Sequence, residues 1–217
     1  MSTTVVVCSV DTSPTQVSDD QYNNARRISE DPEDLENYQY DLENDEWYVN
    51  RSQSELDAIK DYQGMSPTIN ESLRKGFNPA IAKEGVTSSS VDQMVANLDR
   101  ALSEGNLVED TIVYRGMDSE VISQMRPGTM FTDDAYMSTS ISREEAFGYT
   151  HGGTAAGEDF MMEIFIPKGI GRGAYISTSD DIYGGAEYEY LLRRGSRLIV
   201  RGLDREAGVL RMELVPW

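Results

Sequence analysis

The sequence predicts an α+β domain in which helices come first and strands follow. Two observations carry this. Between Ser52 and Gly105 apolar residues recur at helical spacing, and from Thr111 onward short apolar runs alternate with turn signals. Helix stripes and one-faced strands must bury their apolar sides on one another, so the helices are expected to pack on or flank a mostly antiparallel sheet. A chain of 217 residues suits one catalytic domain with an appendage, and the composition places the boundary near residue 50.

Residues 1–50 hold twelve acidic residues against Arg26 and Arg27, which is -10 of the chain's net -19. From Asp31 to Glu46 the acids interleave with Leu35, Tyr38, Tyr40, Leu42 and Trp47, the pattern of a partly helical acidic segment. It reads as a solvated arm or as a partner-docking segment. At Ser52 and Glu55 the S-x-x-E spacing of a capping box opens a helix, and Leu56, Ile59 and Tyr62 continue it to Gly64. Pro67 sits near the start of a second helix, where Ile69 and Leu73 form one stripe while Asn70 and Arg74 share another. Val91, Met94, Val95, Leu98 and Leu102 define a third, with Gly105 as its stop.

Strands are expected at Thr111 to Tyr114, Tyr136 to Thr139, Phe160 to Ile166, Gly173 to Ile176, Glu187 to Leu192, Arg197 to Gly202 and Val209 to Val215. Between them lie turn signals at Pro127-Gly128, Pro167-Lys168-Gly169, Gly184-Gly185, Arg194-Gly195 and Ala207-Gly208. The last strand alternates cleanly, with Leu210, Met212 and Leu214 on one face and Arg211 and Glu213 on the other. A short helix fits Ser142 to Tyr149, where Ser142 and Glu145 repeat the capping spacing.

Three short segments could carry chemistry. In Tyr114-Arg115-Gly116 an arginine can fork onto a phosphate while glycine lets backbone approach a ligand. Alone it reads as a salt-bridging arginine before a turn. Ser138-Thr139-Ser140 alone is a half-exposed strand with an N-cap. In Glu187-Tyr188-Glu189, strand alternation would set both carboxylates on one face about 7 Å apart, a repulsion that sequences avoid without reason.

In this order the three segments resemble the ADP-ribosyltransferase toxins of the Arg, Ser-Thr-Ser, Glu-x-Glu class, which include actin-modifying binary-toxin components and Rho-modifying exoenzymes. The likeness extends to Ala58 through Gly64, Ile69-Asn70 and Leu73-Arg74, to Gly128, Phe131 and Tyr136-Met137, and to Tyr190-Leu191-Leu192 with Gly195-Ser196, so it covers Ser52 to Trp217. It implies the ADP-ribosyltransferase fold, with N-terminal helices packed on a two-sheet β core. It also implies NAD⁺ as substrate, with no metal, and transfer of ADP-ribose to an acceptor.

Residue roles follow from the same resemblance. Glu189 matches the glutamate that stabilises the oxocarbenium-like state as the nicotinamide bond breaks, and Glu187 the one that receives the acceptor. Ser138 would hold Glu189 by a hydrogen bond, and Thr139 would line the nicotinamide pocket. Arg115 matches a phosphate contact, Gly116 the backbone contact to the nicotinamide amide, and Arg74, beside Asn70, a second phosphate ligand. Phe147 fits the aromatic that covers nicotinamide, but the arginine that commonly follows is missing; Tyr149 and His151 stand there in a glycine-rich stretch.

The acceptor loop before the pair, Ser177 to Ala186, places Tyr183 against the target. Glutamate rather than glutamine at 187 is similar to members that modify arginine, whose cationic guanidinium suits a carboxylate. An acidic enzyme in turn suits a basic patch on a protein acceptor. Nucleic acid is the disfavoured alternative acceptor for a chain of charge -19. NAD⁺ hydrolysis and non-catalytic binding are the competing functions.

Cys8 is the single cysteine, so no intrachain disulfide can form. No basic leader or bilayer-length apolar run is present, and the expectation is a soluble protein made in a cytoplasm and acting as a toxin or effector within a host cell.

Overall fold

Capping chemistry and apolar spacing set where each helix begins and which side it buries. A computed structural model describes residues 17–28, 32–43, 45–105, 107–117, 122, 125–148, 160–177 and 187–215. Cys8, Tyr149, His151 and Tyr183 lie outside the described residues. Three short helices, α1 (Asp19–Asn24), α2 (Pro32–Glu43) and α3 (Glu46–Val49), precede the two long ones.

The expected capping box opens α4 (Gln53–Lys75), with the Ser52 amide and hydroxyl donating to Glu55 Oε2 at 2.8 and 2.7 Å. The two helices expected across Gly64 and Pro67 are both present, run together as α4 and separated by a kink at Met65, whose backbone is not helical (φ -141°, ψ 19°). Pro67 explains the kink, because its ring crowds the carbonyl four residues earlier and it brings no N–H to the ladder. The next helix, α5 (Ser88–Ala101), is capped by the Thr87 hydroxyl, which accepts from Ser90 N at 3.2 Å. Gly105 serves a close approach rather than the helix stop, since a Cβ there would lie 2.3 Å from Ile170 O.

The strands are β1 (Thr111–Met117), β2 (Met130–Thr132), β3 (Met137–Ser140), β4 (Phe160–Ile166), β5 (Gly173–Tyr175), β6 (Glu189–Leu192), β7 (Arg197–Asp204) and β8 (Val209–Val215). A short helix, α6 (Arg143–Gly148), follows β3, with Ser142 Oγ accepting from Glu145 N at 3.3 Å. The three-residue β2 escapes sequence reading because so short a segment shows no alternation.

The eight strands form one continuous sheet in the order β2-β7-β8-β4-β1-β3-β6-β5, where two sheets were expected. All neighbours are antiparallel except β4 and β8, which run parallel. A seam within this sheet accounts for the difference. On one side β1 pairs with β4 over its full length, Thr111 to Met117; on the other it meets β3 only at Tyr114 and Ser140. Beyond that single pair, Arg115 and Gly116 have no β3 partner, and the space between the diverging strands is where the site forms.

Alternation along the strands feeds cores on both sides of the sheet. Val113, Met162, Ile164, Tyr190 and Leu192 pack in one cluster with Leu35, Tyr38 and Leu42 of α2. Leu191 and Ala174 join Ile59, Tyr62, Ile69, Val95 and Leu98 of α4 and α5. Ile112, Tyr114, Met161 and Phe165 meet Tyr22 and Ala25 at and beside α1. Residues from the acidic N-terminal stretch therefore contribute to all three clusters, Trp47 joining the second.

The outward face expected for Arg211 and Glu213 divides. Arg211 is exposed, but Glu213 is fully buried, paired with Arg201 at 2.5 Å. Arg201 also donates to Asp19 and to the Val17 carbonyl, both at 2.6 Å, so the chain entering α1 is tied to β7 beside the buried pair.

Candidate active site

The seam beside Tyr114 leaves a cleft of about 360 Å³. Arg115 and Gly116 reach it from β1, Ser138 and Thr139 from β3, Glu189 from β6 and Glu187 from the turn before it; Tyr62, Gln63 and Ser66 close it from the kinked part of α4. Six of the residues singled out in the sequence, Arg115, Gly116, Ser138, Thr139, Glu187 and Glu189, thus line one cavity although they come from three short segments well apart in the chain.

Arg115, Thr139 and Glu189 are each fixed by their ladder and by one further bond. Arg115 Nη1 donates to the Ser138 carbonyl at 2.5 Å, tying the two motifs together across the seam. Thr139 Oγ1 donates to the Tyr190 carbonyl at 2.5 Å and Thr139 is buried, so its hydroxyl braces β3 on β6 while the residue lines the cleft. Glu189 is only 4% exposed, and its amide donates to Ser177 Oγ at 2.7 Å. A carboxylate so placed acts in a poorly solvated environment, where its field on a cationic centre is strong.

Glu187 reaches the cleft by a different route from the one strand alternation suggests. It precedes β6, and Tyr188 between the two glutamates has φ +46°, a left-handed conformation unusual for a bulky residue. The 7 Å spacing of a regular strand therefore does not apply, and the turn delivers Glu187 to the same cavity as Glu189.

Tyr62 was read in the sequence as part of a helix stripe and of the Ala58–Gly64 resemblance, with no role of its own in the site, yet it links the cleft's parts. Its hydroxyl lies 3.2 Å from Ser138 Oγ and accepts from Asn70 Nδ2 at 3.0 Å. Burial pushes its phenol pKa up, and the Glu189 carboxylate adds to that. The signal available was a tyrosine inside an apolar stripe, whose hydroxyl requires a partner when buried. Arg115 is pulled below its ordinary value by burial, while Tyr62, Asp133 and Glu189 act to keep it charged.

Asn70 and Arg74 stand behind the cleft rather than among its lining residues. Asn70 spans two elements, donating to Tyr62 and accepting from Tyr136 N at 3.2 Å. Arg74 forms a bidentate pair with Asp133 at 2.9 and 2.6 Å, and that bond keeps its pKa raised. Phe147, on α6, is 56% exposed and is also outside the lining set. Among the described residues no group of three or more His, Cys, Asp or Glu side chains is arranged to hold a metal ion. No described helix is long and apolar enough to cross a membrane.

A family model described as ADP-ribosyltransferase exoenzyme matches residues 33–213. A curated relative, the NAD(+)--arginine ADP-ribosyltransferase EFV of Enterococcus faecalis, is 29% identical over 164 residues, covering 75% of this chain and 31% of its own. The chain thus spans about a third of that relative's length. Among solved structures, the chain is similar to BECa of a binary enterotoxin of C. perfringens, solved with NADH, with TM-score 0.66, 17% identity and coverage of 88% and 50% of the two chains. Vis of Vibrio splendidus in complex with agmatine gives TM-score 0.63 at 18% identity, over 87% of each chain. Plx2a of Paenibacillus larvae gives 0.60 at 20%, over 85% and 96%. At such identities these likenesses concern the fold.

Proposed function

The chain belongs to the ADP-ribosyltransferase exoenzyme family, and on that premise we propose that it transfers ADP-ribose from NAD⁺ to an arginine side chain of a protein, releasing nicotinamide. The observation that carries this is the convergence of Arg115, Ser138, Glu187 and Glu189 on one cleft. The catalytic unit is assigned to residues 51–217, which contain every lining residue, with residues 1–50 as an N-terminal segment resting on it.

The chemistry follows from placement. Cleavage of the nicotinamide–ribose bond leaves positive charge on the sugar, and the buried Glu189 carboxylate stabilises it without reorganising solvent. Ser138, held between Tyr62 and Arg115, orients Glu189. Arg115 contacts phosphate, while Gly116 and Thr139 line the nicotinamide end. Glu187, on its turn outside the strand, receives the guanidinium and removes a proton as nitrogen attacks the anomeric carbon.

Arg74 and Asn70 serve phosphate binding through the wall they brace, and Phe147 and Tyr183 meet nicotinamide and acceptor respectively. The named activity of the E. faecalis relative supports arginine, as does agmatine, a guanidinium compound, in the Vis complex. A basic patch on the acceptor would complement the chain's charge of -19. The protein would then act as a toxin or effector.

Labelled NAD⁺ with agmatine, and separately with a cell lysate, tests the reading: label should pass to agmatine and to discrete protein bands. Glu189→Gln should remove both transfer and NAD⁺ hydrolysis. Glu187→Gln should remove transfer far more than hydrolysis, because water needs no guanidinium site. Equal losses in the two variants would refute the division of roles.

A further inference from the structure

We propose that Ser140 is a positioning residue that aims Glu187 at the acceptor by clamping the left-handed turn before β6. This rests on the reading of Glu187 as the acceptor carboxylate. Tyr188 is the sole non-glycine with positive φ among the described residues, and released tyrosines favour β or right-handed conformations. Something must hold it.

The holding groups come from the end of the Ser-Thr-Ser strand. Ser140, 4% exposed, donates its hydroxyl to the Glu187 carbonyl at 2.9 Å, with the Tyr188 carbonyl also within reach at 3.3 Å. The same oxygen accepts from Ser142 N at 3.0 Å, which fixes the direction of its single proton. Ile141 N donates to the Tyr188 carbonyl at 3.0 Å. Both carbonyls of the turn are thus gripped from one segment, Ser140–Ile141.

Glu189 is held otherwise. Ser140 and Glu189 are β-ladder partners, and Glu189 is also fixed by Ser177 Oγ on its amide and by Ile176 N on its carbonyl. Loss of the Ser140 hydroxyl therefore frees the turn that carries Glu187 while the ladder keeps Glu189 in place. A hydroxyl on a neighbouring strand, at the wall of the cleft, would so govern the choice between an acceptor and water through the turn that carries Glu187.

The test is the ratio of ADP-ribose transfer to agmatine over NAD⁺ hydrolysis, measured with thermal melting. Ser140→Ala should lower the ratio about tenfold, while hydrolysis falls less than about threefold, since misplacing one reacting group by an ångström costs up to about a hundredfold and a loosened turn displaces Glu187 by less. Ser140→Cys, close in size with a weaker donor, should act in the same direction and serves if the alanine variant does not fold. Ser140→Thr, which keeps the hydroxyl, should restore the ratio. Ser196→Ala, a buried serine bonded to Arg193 O away from the cleft, should leave it unchanged.

If Glu187→Gln lowers the ratio and the Ser140 variants do not, or if they lower both rates in step, the clamp is overturned and the reading of Glu187 stands. If Glu187→Gln itself leaves the ratio unchanged, the reading of Glu187 fails and the clamp fails with it.

Discussion

The phenol oxygen of Tyr62 lies 3.2 Å from Oγ of Ser138, joining the kinked helix α4 to the Ser-Thr-Ser strand across the wall of the cleft. Tyr62 is 1% exposed, so both its partners, Ser138 and Asn70, lose a hydrogen bond inside protein if the hydroxyl goes. Tyr62→Phe should destabilise by about 1–3 kcal/mol. It should also lower the turnover of NAD⁺ about tenfold, because Ser138 loses its fixed orientation. Melting curves and steady-state hydrolysis check both, and full activity in a less stable variant would confine Tyr62 to the core.

Arg74 and Asp133 pair bidentately where sequence resemblance suggested a phosphate ligand. Asp133 also accepts from Ala135 N at 2.9 Å, and its backbone carbonyl accepts from Gly195 N at 2.8 Å, so the pair anchors the loop leading into β3. Arg74→Ala should cost about 1–3 kcal/mol of stability and raise KM for NAD⁺ only as far as that loop loosens. Arg74→Lys should recover little, because a point charge cannot reproduce the fork. A large rise in KM at unchanged stability would instead make Arg74 a direct phosphate ligand.

Much of this site was legible in the sequence because its parts are short, regular segments with fixed chemistry. Phe160–Ile166 and Val209–Val215 coincide with their expected limits, and Arg115, Gly116, Ser138, Thr139, Glu187 and Glu189 share one cleft. What stayed illegible depends on contacts distant in sequence. The single-pair seam between Tyr114 and Ser140 is a matter of register, Tyr62 finds Ser138 76 residues away, and the buried Glu213 pairs with Arg201, which in turn binds Val17 and Asp19 from the far end of the chain. The left-handed Tyr188 was hidden for another reason, since nothing in its residue type announces that conformation.

Stability should fall steeply in alkali. Tyr22, Tyr62, Tyr136 and Tyr190 all have their phenols raised above the ordinary value of 10.0, in each case first by burial. A tyrosine raised in the folded state keeps its proton there while the unfolded chain releases it near pH 10, so unfolding is increasingly favoured as pH rises past that point. The stabilisation is complete below about pH 10 and is lost toward the folded values. Phenolate absorbance during alkaline titration should show these four ionising together with loss of circular dichroism. Gradual ionisation in a folded protein would contradict the burial.

The Arg201–Glu213 pair offers a test of how the N-terminal segment and the sheet are joined. Glu213 has no exposed side-chain surface and that of Arg201 is 8% exposed, whereas the side chain of Asp19, the other carboxylate on Arg201, is 93% exposed. Removing Glu213 would leave a buried guanidinium with a solvated carboxylate, the Val17 carbonyl and the face of the Tyr22 ring, but no buried counter-charge among its described partners. Glu213→Ala should therefore cost about 3–5 kcal/mol, and Asp19→Ala less than about 1 kcal/mol. Replacing both partners at once, as Arg201→Met with Glu213→Leu, should recover most of the loss, because neither desolvated charge remains. Arg201→Met alone, Glu213→Leu alone and the two together form a cycle whose coupling term isolates the pair. NAD⁺ turnover below the melting range should stay within about twofold in all of these variants, since neither residue lines the cleft. A Glu213→Ala protein as stable as the parent would mean that the segment through Val17 and Asp19, rather than the pair, satisfies Arg201.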